Sequence, residues 1–141
     1  MAIINGKVTK GHDDDAAWDL HAADLARMEP GERHIIGTGV KLELEPDEVA
    51  LVCSRSGLAA KHGVFVLNAP GVIDAGYKGE VKVILQHLGG DPLTVVKGDR
   101  IAQLLILKLP QLAQVAERKV IAKIRGTKGL GSTGVSYAPA A

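Results

Sequence analysis

The stretch NAPGVIDAGYKGE occupies residues 68–80 and is followed directly by the alternating run VKVIL at 81–85. Two apolar strand candidates, 64–67 and 81–85, flank this segment, which is punctuated by one proline and three glycines. Short apolar runs separated by turn-forming residues are typical of a β-hairpin. We therefore predict a wide hairpin with an elaborated tip, and a fold organised around it.

The tip of this hairpin carries groups that suit a pocket for a planar ligand. Its glycines let the main chain come close to a ligand, and the side-chain amide of Asn68 can both donate and accept hydrogen bonds. Tyr77 offers a flat apolar wall with a polar end. Asp74 has two interpretations: a turn residue that caps nearby amides, which is the commoner role, or a general base. The residues of the tip leave both interpretations open.

Composition predicts one domain without a strongly charged surface. The chain has 141 residues and a formal net charge of +1, so no global field attracts nucleic acid or an anionic membrane. No apolar run approaches the ~20 residues that span a bilayer, and the first ten residues lack the apolar segment of a signal peptide. We expect a cytoplasmic protein that takes no nucleic acid or membrane as a partner. Any binding of phosphate groups must therefore come from local clusters of charged or polar residues.

The single cysteine, Cys53, excludes an intrachain disulfide, and the lack of a Cys/His cluster in the sequence argues against a structural zinc site. Cys53 ends the apolar run 49–53, so we expect a buried and inert thiol.

From residue 30 onward the pattern is that of β-structure. Residues 40–45, VKLELE, alternate strictly and predict a strand with one dry and one wet face. Pro46 and Asp47 predict a turn into a strand at 49–53. Residues 19–28 fit a helix as well as a strand with a loop, and 112–124 fit a loose strand.

Residues 101–107, IAQLLIL, are too apolar for a strand with one wet face, so we expect burial on both faces. Gly98 and Asp99 before them predict a hairpin-type turn. We expect Asp99 and Arg100 to have structural roles.

Residues 54–63, SRSGLAAKHG, predict a short helix with Ser56 as its N-cap and Gly63 at its C-terminal end. The start of this helix beside Arg55 has two interpretations. It is either a capped helix with an exposed arginine, or an anion site formed by free amides and the guanidinium group.

Residues 125–134, RGTKGLGSTG, cannot form a core of their own. By composition they favour a disordered tail, but their four glycines, the hydroxyls of Ser132 and Thr133, and the bases Arg125 and Lys128 would also suit a flap that wraps phosphates. The segment lacks the Gly-Lys-Ser/Thr ending of a P-loop.

Five segments together resemble the trimeric dUTPase family. LNAPGVIDAGYKGEVKV at 67–83 is similar to the third motif of that family. The first, second, fourth and fifth motifs are matched, in the same order along the chain, by DAAWDLHA (15–22), SRSGLAAKHG (54–63), GDRIAQLLI (98–106) and RGTKGLGSTG (125–134). The resemblance implies an all-β, jelly-roll-like domain at 1–124 with one short helix, a flexible glycine-rich arm at 125–141, and a homotrimer whose active sites are shared between subunits.

The resemblance also implies Mg²⁺-assisted hydrolysis of dUTP to dUMP and pyrophosphate, which keeps uracil out of DNA and supplies dUMP. Asp74 would activate the attacking water, and Tyr77 would exclude a ribose hydroxyl. Asp19, which as a residue alone is more often a surface aspartate, would orient water ligands of an Mg²⁺ ion carried by the triphosphate. The other implied substrate contacts are Arg55, Ser56, Gly57 and Gln103 for the phosphates, Asn68, Gly71, Val72, Ile73 and Lys82 for uracil, and Arg125, Leu130, Gly131, Ser132 and Thr133 from the arm.

The chain departs from the family pattern at two positions. Ser54 stands where proline is usual, which predicts a less rigid loop. Leu130 stands where an aromatic ring usually covers the uracil, and leucine loses the stacking contribution of about 0.5 to 1.5 kcal/mol. Two other functions remain open: a dCTP deaminase of the same fold, and a regulatory trimer that binds dUTP without catalysis.

Overall fold

The computed structural model of the chain describes residues 1–112. Several predictions therefore lie outside the described residues: the strand at 112–124 beyond its first residue, the boundary between a domain at 1–124 and an arm at 125–141, and the five arm residues expected to contact substrate (Arg125, Leu130, Gly131, Ser132 and Thr133).

The described part is almost entirely β-structure, as predicted. Its elements are β1 Ile3–Asn5, β2 Val8–Thr9, β3 Trp18–His21, β4 Ala26–Met28, β5 Arg33–Glu43, β6 Glu48–Cys53, α1 Ser56–His62, β7 Val64–Val66, β8 Gly71–Asp74, β9 Glu80–His87, β10 Leu93–Val95 and β11 Arg100–Lys108. They form a four-stranded sheet in the order β1-β5-β9-β7, a five-stranded sheet in the order β2-β3-β11-β6-β8, and the pair β10-β4. The segment 19–28 is strand and loop rather than helix.

One hydrophobic core receives side chains from both large sheets. The predicted alternation at 40–45 is confirmed, since Val40, Leu42 and Leu44 are buried while the intervening charged residues are exposed. β9 contributes Val81, Val83 and Leu85 in the same way. Each such side chain contributes roughly 1.5 to 3 kcal/mol on burial, so the period-two pattern fixes which face of each strand is inside.

The predicted hairpin is present and has a further strand in its tip. β7 and β9 pair in antiparallel register, with Val64 opposite His87 and Val66 opposite Leu85. Between them, β8 crosses to the other sheet and pairs with β6. The tip therefore ties the two sheets together, and the Ala69–Pro70 peptide bond before β8 is cis.

The prediction of a hairpin-type turn at Gly98–Asp99 is wrong. β10 pairs with β4, whereas β11 pairs with β3 and β6, so the turn connects strands of different sheets. The turn is nevertheless tight, because the Val96 amide donates to Asp99 Oδ2 at 2.9 Å. Asp99 thus has the structural role expected of it.

Burial of β11 on both faces is not found within a single chain. Ile101, Ala102 and Leu104 are buried, but Leu107 is 45 % exposed. Cys53 is half-buried rather than buried, because the inward positions of β6 are Glu48, Ala50 and Val52 and the cysteine belongs to the opposite set.

Helix α1 ends as predicted at Gly63, which has a φ of 64°. Ser56 is not its N-cap. Arg55 occupies the cap position in an extended conformation without a side-chain capping hydrogen bond, and Ser56 is the first helical residue. The predicted looseness of the preceding loop is offset by Ser54, whose Oγ accepts a hydrogen bond of 2.9 Å from the amide of Val66.

Candidate active site

Three neighbouring strands bring Asp19, Gln103 and Cys53 into one row. Gln103 on β11 lies opposite Asp19 on β3 and opposite Cys53 on β6. Residues paired across antiparallel strands project from the same face of a sheet. The implied metal-orienting aspartate and the implied phosphate-binding glutamine are therefore neighbours, although they are far apart in the sequence.

Asp19 lies between two guanidinium groups. Its Oδ1 is 3.2 Å from Arg55 Nε, and its Oδ2 is 3.5 Å from Arg100 Nη1. The Asp19 side chain is only 8 % exposed, which excludes the interpretation of this residue as a surface aspartate. Arg55 is also held through Nη1, which donates to the carbonyl oxygen of Arg100 at 2.9 Å.

Two polar atoms in this cluster lack a directed partner. Asp19 Oδ1 and Arg55 Nε are buried, and among the residues that the structure describes neither makes a hydrogen bond. The 3.2 Å contact between them is an attraction of opposite charges in which the N–H group is not aimed at the oxygen. Because buried polar atoms are nearly always satisfied by protein or water, these two have free capacity for a bound water or ligand.

The first turn of α1 lies directly beside this cluster. Ser56 and Gly57 are exposed, and the first amides of a helix have no partner within the helix. A Cβ atom added to Gly57 would meet nothing within 4 Å, so the main chain there is open to a ligand. These positions fit the anion-site interpretation of residues 54–63.

The hairpin tip holds a second group of the predicted residues. The Tyr77 hydroxyl donates to the carbonyl oxygen of Glu80 at 2.8 Å, and the Tyr77 amide donates to the carbonyl oxygen of Asp74 at 3.0 Å. Asn68 lies against Gly71, where an added Cβ would be 3.2 Å from Asn68 Nδ2.

The remaining tip positions differ in exposure. Val72 is 62 % exposed, and Lys82 is exposed on β9. Ile73 packs partly buried against the core, while Gly71 is buried and Asp74 is half-buried. The exposed or partly exposed positions are therefore within reach of a ligand at the tip.

Asp74 and Arg55 are not brought together within one chain. Asp74 lies opposite Val49 near the start of β6, whereas Arg55 follows the end of that strand. Six residues of extended chain separate Val49 from Arg55, which corresponds to roughly 20 Å at ~3.3 Å per residue. A single chain thus holds two partial sites, one around Asp19 and one at the hairpin tip.

Within residues 1–112, no group of three or more His, Cys, Asp or Glu side chains is arranged to hold a metal ion. In the same part of the chain, none of the helices has the length and apolarity needed to cross a membrane.

Two contacts in the site could not be recognised from sequence. The fourth motif contains Arg100, but its ion pair with Asp19 depends on the pairing of β3 with β11. The hydrogen bond of Tyr77 to Glu80 spans three residues, and the glycine between them at position 79 is the only local signal, because an added Cβ there would lie 2.5 Å from the Tyr77 hydroxyl oxygen.

Comparison with known proteins identifies the family. The model of the dUTPase family matches residues 6–134. The deoxyuridine 5'-triphosphate nucleotidohydrolase of Corynebacterium glutamicum is 45 % identical over 126 residues, which cover 89 % of this chain and 85 % of that protein. The enzyme of the same name from Solibacter usitatus is 44 % identical over 124 residues, covering 88 % and 84 %.

Solved structures show the same relationship. The dUTPase of EIAV superimposes with a TM-score of 0.73 at 28 % identity, covering 85 % of this chain and 98 % of that one. A dUTPase from phage phi11 of S. aureus, which coordinates a structural Mg(II) ion, has a TM-score of 0.72 at 24 % identity, covering 84 % and 99 %. The latter likeness supports the jelly-roll-like fold alone. On the family match and the identity to both bacterial proteins, the chain belongs to the dUTPase family.

Proposed function

We propose that this protein hydrolyses dUTP to dUMP and pyrophosphate. The observation that carries the proposal is the convergence of Asp19, Arg55 and Gln103, three positions that match the family's phosphate and metal motifs, in one partly buried cluster around the Asp19–Arg55 ion pair. The names of the relatives give the substrate.

The phosphate chain would lie over the first turn of α1. Arg55 is fixed by Asp19 and by the Arg100 carbonyl, so little side-chain freedom is lost when it binds an anion. Charge-assisted hydrogen bonds from Arg55, Ser56 and Gly57 suit phosphate oxygens, and Gln103 would add its amide from the neighbouring strand.

The uracil and the deoxyribose would occupy the hairpin tip. Asn68 and the main chain of Gly71, Val72, Ile73 and Lys82 would read the edge of the base. The ring of Tyr77 is held in place by the hydrogen bond from its own hydroxyl to Glu80. A ring fixed in this way would sterically exclude a ribose hydroxyl. A buried polar edge left unpaired penalises the wrong base more strongly than a missing apolar contact does.

Asp74 is the proposed general base for the attacking water. We propose that Asp19 faces the magnesium ion through water, and the buried Oδ1 that lacks a hydrogen-bond partner fits an acceptor for such a water. When bound, Mg²⁺ would offset the charge that develops on the phosphates.

We further propose a homotrimer with shared sites. The main-chain separation of roughly 20 Å between the Val49 position, opposite Asp74, and Arg55 supports this, because the two groups must act on one triphosphate. A neighbouring subunit that brings its own Asp74 to this chain's Arg55 would complete the site. The arm, with Arg125, Leu130, Gly131, Ser132 and Thr133, is proposed to close over the substrate.

The decisive experiment is pyrophosphate release from dUTP in the presence of Mg²⁺, run beside dCTP, dTTP and UTP on one preparation. We expect release from dUTP alone. Ammonia released from dCTP would instead identify a deaminase. Binding of dUTP without release of pyrophosphate would identify a regulatory protein.

A further inference from the structure

The strand β11 contains an irregularity next to the Asp19 cluster. Ala102 lies opposite Leu20, whereas Arg100 lies opposite His21, so Ile101 is an extra residue on β11. The burial pattern agrees, because the consecutive residues Ile101 and Ala102 are both buried. This is a β-bulge, a feature that re-aims the side chains that follow or precede it.

The bulge decides which way Arg100 points. In an unbroken ladder Arg100 would lie opposite Ala22, on the face that carries Leu20 and enters the core. With Ile101 inserted, Arg100 shares its face with His21 and therefore with Asp19, two residues earlier on β3. The side chain is 51 % exposed, and its Nη1 reaches Asp19 Oδ2 at 3.5 Å.

The two oxygens of Asp19 are used unequally. Oδ2 faces Arg100, while Oδ1 faces Arg55 without a directed hydrogen bond. An arginine on one oxygen restrains the rotation of a carboxylate, and Oδ1, although buried against Arg55, keeps an acceptor position that no hydrogen bond uses. Arg100 and Arg55 also line the same open groove of about 230 Å³.

We propose that Arg100 is a positioning residue for Asp19: it holds Oδ2 so that Oδ1 is presented to the water shell of a metal carried by the bound phosphates. The inference rests on the proposed function, because it assigns Asp19 its role there. This role is more specific than the structural role expected of Arg100, because Arg100 would act on one oxygen of the Asp19 carboxylate.

Calorimetric titration of the full chain with pyrophosphate, with and without Mg²⁺, tests this inference. The variants are Arg100→Gln, Asp19→Asn and the double variant. The matched control is Arg27→Gln, at an exposed arginine of β4 that pairs with Glu29. We expect Arg100→Gln and Asp19→Asn each to reduce the Mg²⁺-dependent gain in pyrophosphate affinity by about tenfold. The double variant should lose no more than either single variant, because residues that act through one contact are not additive. Arg27→Gln should match the wild type.

Four outcomes overturn the inference. Equal losses with and without Mg²⁺ would show that Arg100 contacts phosphate itself, and additive losses in the double variant would show that it acts independently of Asp19. If the wild type hydrolyses dUTP and the pyrophosphate affinity of Arg100→Gln equals that of the wild type in both titrations, Arg100 has no role in the site. The proposed function would then still stand. A wild type that neither binds pyrophosphate nor hydrolyses dUTP would overturn both. If Arg100→Gln does not fold, Arg100→Lys, which keeps one donor for Asp19, should retain most of the Mg²⁺-dependent gain.

Discussion

The Tyr77 hydroxyl donates a hydrogen bond of 2.8 Å to the carbonyl oxygen of Glu80, and Gly79 between them makes room for the ring. A Cβ atom at position 79 would lie 2.5 Å from the hydroxyl oxygen and 2.7 Å from Cζ. The contact ties the proposed sugar-excluding ring to the start of β9, so we expect the proposed selectivity to depend on a residue that has no side chain.

Gly79→Ala should displace the Tyr77 ring and weaken the discrimination of dUTP from UTP. We expect the ratio of kcat/KM for the two substrates to fall by about tenfold or more, the order that one lost steric and polar contact produces. Steady-state kinetics on both substrates measures this ratio. Gly90→Ala is the control, because a Cβ there meets nothing within 4 Å. An unchanged ratio in Gly79→Ala would refute the locking of the wall.

Asp74→Asn should lower kcat by ~10²-fold or more while dUTP binding changes little, because asparagine keeps the size of the side chain but cannot take a proton from water. Single-turnover kinetics and dUTP binding measured on the same variant separate the two effects. A kcat equal to that of the wild type would remove Asp74 from the proposed mechanism.

Co-expression of Asp74→Asn with Arg55→Gln tests the sharing of sites between subunits. Random assembly should restore about a quarter of the sites, since each restored site takes Asp74 from one subunit and Arg55 from another. The activity of the mixture, compared with that of either variant alone, measures the fraction of restored sites. Co-expression of Asp74→Asn with Asp74→Ala should recover nothing. No recovery in the first mixture would place the whole site within one subunit.

Ser54→Ala should destabilise the protein by about 1 to 2 kcal/mol, because it removes the acceptor of the Val66 amide, which belongs to a residue only 2 % exposed. Ser54→Thr keeps the hydroxyl and serves as the control. Denaturant unfolding measures the difference. We also expect a raised KM in Ser54→Ala, since the lost bond anchors the loop directly before Arg55. Equal stability of all three proteins would show that the bond contributes nothing.

Lys108 and Asp47 form an exposed ion pair at the end of β11, with Nζ 3.1 Å from Oδ2. The hydrogen bond from Lys108 lowers the pKa of the Asp47 carboxyl, and the same bond raises the pKa of Lys108. The contribution of Asp47 is therefore present above the ordinary pKa of an aspartate, about 3.9, and is lost as the pH falls through its lowered value. The contribution of Lys108 is present below about 10.4 and is lost as the pH rises through its raised value.

Lys108→Gln should accordingly lower the Tm slightly at neutral pH and make no difference once the pH is below the lowered pKa of Asp47, where its carboxyl is protonated. Melting curves across this range check the expectation, with Lys7→Gln, at an exposed lysine in the loop after β1, as the control. A constant Tm difference at every pH would mean that the pair contributes through packing rather than charge.

The sequence predicted the fold where the signal is local. Alternation at 40–45 predicted which side chains of β5 are buried, and the hairpin around residues 68–80 followed from its turn residues. The helix end at Gly63 was equally local. In each case a single segment contains the physical cause, so neighbouring residues suffice to predict the structure.

Apart from the N-cap of α1, which is Arg55 rather than Ser56, the errors concern long-range pairing. The bulge at Ile101 depends on the register of β11 against β3, and the strand β8 forms because β6 of the other sheet offers it an edge. The burial of Asp19 depends on arginines 36 and 81 residues away, as the positions of Arg55 and Arg100 show. None of these contacts has a signature within its own segment, so the sequence alone does not predict them.

The row that joins Asp19, Gln103 and Cys53 gives the protein a chemical reporter of its own. The chain contains one cysteine, its thiol is half-buried, and its strand position opposite Gln103 directs it to the same face. A ligand that covers Gln103 should therefore slow the alkylation of Cys53 by iodoacetamide. The rate of labelling, followed by mass spectrometry at a single position, would report occupancy of the phosphate end even in variants that no longer turn over.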